Sequence, residues 1–147
     1  MYFWDNLSNA RYWCSKKRSP KDYTISQALL KCNTSDVLDL TDLETCHKLI
    51  KYAEVILAKM EPRDRPNLDL HKTGAVINFV YDYSKKAGLA TFSVVKMHGL
   101  YGNPKTVSSI YNEGLRYPHA TIRTKTMYAV RNAMLLEERQ EVSKYEL

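Results

Sequence analysis

Long apolar runs, glycine-rich loops and paired cysteines are all missing from this chain of 147 residues. No apolar stretch approaches the roughly 20 residues that a membrane-spanning helix needs, and the chain does not open with the basic and apolar segments of a signal peptide. Its three cysteines, Cys14, Cys32 and Cys46, are odd in number and include no CxxC pair. Because disulfides are rare in reducing compartments, we expect a cytoplasmic protein with no membrane span.

The usual sequence patterns of metal and phosphate sites are also missing. The four histidines form no metal-binding pattern with the cysteines, and the neighbours Cys46 and His47 would point about 100° apart on a helix. Gly99, Gly102 and Gly114 are too scattered for a dinucleotide fingerprint or a Walker motif. The sequence therefore predicts neither a zinc site nor a glycine-rich phosphate loop.

The composition is that of one ordinary globular domain over residues 1–147. Hydrophobic residues make up 44% of the chain and charged residues 26%, which is typical of soluble proteins and enough to build a core. Neither an internal repeat nor a low-complexity tract divides the chain.

The first fourteen residues carry the most information. The aromatic run at residues 1–4 predicts a short buried strand. Asp5 and Asn6 are helix N-cap residues, and we expect a helix through Trp13. A chain that opens inside a strand–helix unit suggests that another segment belongs before it.

Further elements predict an α+β fold with about three helices. Thr41 and Glu44 form a capping box for a helix that ends at Met60. Gly88 is placed to cap a third helix, over residues 70–87. Strands are expected over residues 24–32, 37–40, 91–97 and 121–130, and residues 98–120 form a long loop that suits a functional role. The apolar face predicted for the 41–60 helix comprises Leu43, Cys46, Ile50, Ala53, Leu57 and Met60.

The run Tyr2-Phe3-Trp4, followed by residues 9–14, resembles the second-strand signature of ADP-ribosyltransferase-like proteins. In the poly(ADP-ribose) polymerase and diphtheria-toxin type, a Gly-x-Tyr-Phe strand leads into a small-residue helix that ends in aromatic residues. Later segments resemble, in order, those of small bacterial proteins of this kind. These segments are residues 36–40, 74–78, 112–114, 117–118, 125–126 and 129–132.

The resemblance implies a split β-sandwich that holds NAD, as substrate, in a cleft. The bond to nicotinamide would break through an oxocarbenium-like transition state, which needs an aromatic wall and a supporting carboxylate. Tyr2 and Glu113 are the candidate catalytic residues. A tyrosine of the core with its hydroxyl at the surface is an equally good interpretation of Tyr2. The candidate NAD-binding residues are Tyr2, Asn9, Tyr12, His98 and Tyr117.

Two departures from the family pattern predict a chain that is inactive alone. The family's first strand, with a histidine or arginine near a glycine, should precede Tyr2, and the closing strand at residues 121–131 contains no glutamate. The nearest acids are Glu113 and Glu137. Three explanations fit: a truncated product, one half of a split protein completed by a partner, or a decayed relative that kept a binding surface. An unpaired strand edge would favour pairing with another chain or an upstream segment.

Basic and aromatic residues support an alternative function. The net charge is +6, and the eleven tyrosines include several next to lysine or arginine. Such surfaces suit an acidic partner, and single-stranded nucleic acid can bind by stacking and phosphate contact. The alternative is therefore a nucleic-acid-binding or interaction module without catalysis. The third candidate function is that of a purely structural or interaction protein, such as a subunit of a toxin–antitoxin or phage system.

Overall fold

The computed structural model describes residues 1–15, 24–100 and 124–142. These residues form three α-helices and six β-strands, so the predicted α+β class is confirmed. The helices are α1 (Leu7–Ser15), α2 (Leu43–Lys59) and α3 (Thr73–Lys86). The strands are β1 (Tyr2–Trp4), β2 (Ile25–Leu30), β3 (Val37–Asp39), β4 (Val94–Leu100), β5 (Thr124–Val130) and β6 (Leu136–Val142).

The main sheet has four strands in the order β1-β5-β4-β3. β5 is antiparallel to both β1 and β4, whereas β3 and β4 are parallel. Parallel neighbours need a crossover connection, and here α2 and α3 supply it. β1 forms one edge of this sheet.

The second sheet contains only β2 and β6, which are antiparallel. Gln27 pairs with Gln140 and Leu29 pairs with Glu137, so Ala28 lies opposite two residues of β6. This extra residue makes a β-bulge, and Glu138 within it has a positive φ of 48°. The sequence made no firm prediction for the tail from Asn132 onwards. In the structure, this tail contains strand β6.

The hydrophobic core lies between the main sheet and the pair α2–α3. Its buried members are Leu49, Ala53 and Ile56 from α2, Val76, Ile77 and Val80 from α3, and Val95 from β4. The predicted face of α2 is only partly right, because Leu43 and Ile50 are 51% and 37% exposed. α2 carries apolar residues on two neighbouring stripes, and packing against the sheet buries the stripe centred on Ala53.

The start of α2 also differs from the prediction. Asp42, rather than Thr41, is the N-cap, and its carboxylate accepts from the backbone N–H of Glu44 (3.4 Å) and Thr45 (2.8 Å). Thr41 instead donates its hydroxyl to Asp39 at 2.5 Å. The predicted capping box is wrong because a nearby carboxylate competes for the threonine hydroxyl.

α3 ends as the sequence predicts, at Gly88. The Leu89 N–H donates to the Ser84 carbonyl oxygen at 2.9 Å, and the Gly88 N–H donates to that of Lys85 at 3.3 Å. These two bonds define a Schellman motif, and Gly88 takes the left-handed conformation that it requires, with φ 66°.

β4 extends further than predicted. His98 and Gly99 pair with Thr126 and Lys125 of β5, so the expected loop does not begin at residue 98. Cross-strand pairing with β5 overrides the local glycine and histidine signals. The remainder of that predicted loop, residues 101–120, lies outside the described residues, and so do the candidates Glu113 and Tyr117.

Candidate functional site

A cleft of about 810 Å³ separates β1 and the start of α1 from the second sheet. Consecutive residues line it on both sides, residues 1–7 on one and residues 24–28 on the other. Successive side chains of a strand point to opposite faces, so consecutive lining residues mean that the cleft follows strand edges. Leu30, Leu136 and Val142 complete the wall on the side of the second sheet. Tyr128 contributes from β5, and Ala10 and Cys14 extend the wall along α1.

The free edge of β1 opens onto this cleft. The α-amino group of Met1 donates to the Val130 carbonyl oxygen at 2.9 Å, and the Val130 N–H donates back to the Met1 carbonyl oxygen at 2.8 Å. Antiparallel pairs alternate between bonded and non-bonded positions, so the backbone of Tyr2 faces away from β5. In the part of the chain that the structure describes, no strand pairs with this edge.

Aromatic side chains dominate this end of the cleft. Tyr2 is 70% exposed, while Phe3, Trp4 and Tyr128 are half-buried. The high exposure excludes a core position for Tyr2. It also corrects the prediction that residues 1–4 form a buried strand, because an edge strand is covered on only one side.

Asn9 and Tyr12 meet on α1, at the side of the helix that faces β5. Asn9 is 7% exposed; its Nδ2 donates to Asp5 Oδ1 at 2.8 Å, and its Oδ1 accepts from Lys125 Nζ. The same Lys125 Nζ lies 5.3 Å from the centroid of the Tyr12 ring. The Asn9 amide therefore fastens α1 to β5, and a role for Asn9 or Tyr12 in binding NAD stays a prediction.

His98 lies apart from these residues, exposed on β4. Its Nδ1 is 3.5 Å from the hydroxyl oxygen of Thr126, the residue opposite on β5. His98 does not line the cleft, and of the four candidate NAD-binding residues that the structure describes, Tyr2 alone is at the cleft wall. Tyr117 and the catalytic candidate Glu113 lie outside the described residues.

Two residues that line the cleft were not predicted from the sequence as part of a site. Asp5 lines the cleft beside the aromatic residues, although its sequence signal was that of a helix cap. Tyr128 enters from β5, and nothing near it in the sequence indicates contact with residues 1–4. Only the pairing of Phe3 with Tyr128 across two strands brings them together.

A second polar cluster lies at the parallel pair β3–β4, where Asp39 accepts from Lys96 Nζ at 2.8 Å and from the backbone N–H of Thr41 at 2.9 Å. Partial burial favours the neutral acid, but the hydrogen bonds from Lys96 and Thr41 outweigh it and lower the pKa of Asp39 to about 2. The same ion pair raises the pKa of Lys96. This cluster is well suited to fixing the strand pair.

The Cys46 thiol donates to the Leu40 carbonyl oxygen at 3.3 Å. Burial, and then the negative charges of Asp42 and Asp39, raise the pKa of this thiol. A raised pKa leaves little reactive thiolate at neutral pH. All three cysteines are half-buried free thiols, and Cys32 lies just beyond β2 rather than within it.

Basic and aromatic groups meet at Arg131, whose guanidinium carbon is 4.1 Å from the centroid of the Tyr81 ring. The same group donates to Asn78 Oδ1 at 2.6 Å. These contacts tie the end of β5 to α3, which gives Arg131 a structural role. The nucleic-acid alternative therefore stays a prediction.

Within residues 1–15, 24–100 and 124–142, no group of three histidine, cysteine or acidic side chains could hold a metal ion. None of the helices in these ranges is both long and apolar enough to cross a membrane. No family model, curated protein or solved structure matches the chain.

Proposed function

We propose that this chain is an ADP-ribosyltransferase-like protein that binds NAD in the cleft beside β1. One observation carries the proposal: the strand with the family resemblance, Tyr2-Phe3-Trp4, forms an aromatic wall of a cleft of about 810 Å³. Ligand pockets usually enclose about 300–1,000 Å³ and are lined mainly by apolar and aromatic groups. The cleft is therefore large enough for the nicotinamide end of the dinucleotide and has aromatic residues along one side.

The chemistry assigns Tyr2 to stacking on nicotinamide while the bond to ribose breaks. Positive charge then develops on the ribose, and a fixed carboxylate such as Glu113 would stabilise it. Transfer of ADP-ribose also needs a rigid cleft, and the open edge of β1 leaves one wall without support. A further strand, from a partner chain or another segment, would pair with the Tyr2 backbone and complete the sheet. The chain alone is accordingly expected to bind NAD weakly and to transfer ADP-ribose poorly.

Substitution of Tyr2 tests the proposal by calorimetric titration with NAD. We expect Tyr2→Ala to weaken binding roughly tenfold to a hundredfold, because stacking of a base on an aromatic ring is worth about 1–3 kcal/mol. Tyr2→Phe keeps the ring and should bind as the wild type does. Tyr52→Ala is the control, since Tyr52 is also surface-exposed (39%) but lies on α2.

Wild-type protein that fails to bind NAD, or a Tyr2→Ala variant that binds as tightly as the wild type, would contradict the proposal. Retained binding by Tyr2→Phe and Tyr52→Ala shows that any loss comes from the missing ring at β1.

A further inference from the structure

The described residues of the cleft differ in charge from a typical phosphate site. Asp5 is the one acidic side chain among the described lining residues, and no lysine, arginine or histidine side chain accompanies it. The α-amino group of Met1 is directed at the Val130 carbonyl oxygen, on the side of β5. Phosphate groups are bound by cationic side chains and by backbone N–H groups, whereas the charged side chain that the described lining supplies is a carboxylate.

Hydrogen bonds hold one of the two oxygen atoms of the Asp5 carboxylate. Its Oδ1 accepts from Asn9 Nδ2 at 2.8 Å and from Asn6 Nδ2 at 3.1 Å. Its Oδ2 accepts from no residue in the described part of the chain. The buried Asn9 amide stands between Asp5 and Lys125, so the two opposite charges do not pair directly. Asp5 is exposed, so its second oxygen atom is available to solvent or to a ligand.

Aromatic rings lie next to this carboxylate along the chain and across the sheet. Tyr2, Phe3 and Trp4 directly precede Asp5, and Tyr128 pairs with Phe3. The face of an aromatic ring attracts a cation, and the attraction grows as water is excluded. Aromatic faces together with one carboxylate are the groups that recognise an organic cation.

We propose that this end of the cleft binds a planar organic cation, with Asp5 as its counter-charge. The inference deepens the proposed function, on which it rests for the identity of the natural ligand, because the nicotinamide ring of NAD⁺ is a planar pyridinium cation. Asp5 then determines specificity for the charged ring, and the neutral dihydronicotinamide of NADH loses this contact. The pyrophosphate and adenosine would lie outside the part of the cleft that contains Asp5.

The test compares two small probes that differ in charge. 1-Methylnicotinamide is a pyridinium cation, whereas nicotinamide has nearly the same shape and is neutral. By NMR or calorimetric titration of the wild-type protein, we expect the cation to bind roughly five- to tenfold more tightly, and NAD⁺ to bind more tightly than NADH by a similar factor. Equal affinities for the charged and neutral probes would overturn the inference without the use of any variant.

The Asp5→Asn variant removes the charge and keeps an oxygen that can accept from Asn9. We expect it to lose the preference for the cation while its affinity for neutral nicotinamide stays unchanged. Glu54→Gln, at an exposed position of α2, is the control and should keep the preference. An Asp5→Asn variant that still prefers the cation would also overturn the inference.

The outcomes separate this inference from the proposed function. Binding of 1-methylnicotinamide that depends on Asp5, without binding of NAD⁺, would support the cation site and reject NAD as the ligand. Binding of NAD⁺ and NADH with equal affinity, both dependent on Tyr2, would support the proposed function and reject the role of Asp5.

Discussion

Asp39 accepts hydrogen bonds from Lys96 and from both the backbone and the hydroxyl of Thr41, where β3 and β4 lie side by side. Its pKa of about 2 is lower than the ordinary value of 3.8. The ionised carboxylate is thus favoured in the folded state, and the stabilisation is fully present above the unfolded pKa. It is lost as the pH falls from about 4 to about 2.

The Asp39→Asn variant should therefore be less stable than the wild type at pH 7, and the difference should shrink below pH 4. The Asp39 side chain is 40% exposed, so solvent screens the ion pair and we expect a difference of about 1 kcal/mol or less. Urea unfolding at several pH values measures it. Asp82→Asn, at an exposed position on α3, is the control for the loss of a surface carboxylate. A difference for Asp39→Asn that stays constant down to pH 2 would contradict the assignment.

Contacts between residues close in the sequence could be predicted more readily than contacts between residues far apart in it. The placement of Asp5 and Asn6 before α1 follows from local capping chemistry, and Asn6 Oδ1 accepts from the Asn9 N–H at 2.9 Å. The partner of the Asn9 side chain, Lys125, is 116 positions away. No local pattern could indicate that pair, because it depends on how the strands are ordered.

Among whole elements, helix ends show both the strength and the limit of local signals. Gly88 was predicted as the cap of α3 because only glycine adopts a positive φ at little cost. Thr41 was predicted as the cap of α2 on equally good local grounds. In the structure the cap is Asp42, because β3 places Asp39 where its carboxylate accepts a hydrogen bond from the Thr41 hydroxyl.

The two glycines of the α3 region predict stability changes of opposite sign. Gly88→Ala should lower the free energy of unfolding by about 1–2 kcal/mol, since an L-residue is strained at φ 66°. Gly74→Ala should raise it by about 0.5–1 kcal/mol, because Gly74 lies inside α3 and an added Cβ meets no atom within 4 Å. Urea denaturation of both variants measures the difference. A Gly88→Ala variant as stable as the wild type would show that the Schellman motif forms without glycine.

For the molecule as a whole, the buried groups lie on both faces of the main sheet. Val95 of β4 belongs to the helical core, whereas its neighbour Val94 points to the opposite face. Val130 is paired with Val94 and therefore lies on that face as well. Leu136, at the start of β6, is 8% exposed and lines the cleft from the second sheet. The second sheet thus contributes a buried residue outside the helical core.

Leu136→Ala should lower the free energy of unfolding by about 2–5 kcal/mol, the usual cost of truncating a buried leucine. Met134→Ala is the matched control, because Met134 is 86% exposed and its loss should change stability by less than about 0.5 kcal/mol. Chemical denaturation of the two variants gives both values. Equal stability of the two variants would show that the second sheet adds nothing to the folded state at this position.

The class of the fold could be predicted from the sequence, whereas the order of its strands could not. Periodicity identified most strands within a few residues, but β1 pairs with β5 and β2 pairs with β6 across most of the chain. Hydrophobic patterns show which face of a strand is buried and do not specify its neighbour. The cleft depends on that order, so its aromatic residues were predicted in part and its wall from the second sheet was not.

The contact between Trp4 and Trp13 makes one corner of the protein optically distinct. These are the two tryptophans of the chain, and their ring centroids are 5.7 Å apart at a tilt of 36°. Indole emission and the tryptophan bands of the near-ultraviolet circular dichroism spectrum therefore originate from the β1–α1 unit. A change in these tryptophan signals in the native protein reports on this unit, because the helical core contains no tryptophan. The molecule thus carries its own probe for anything that arrives at the edge of β1.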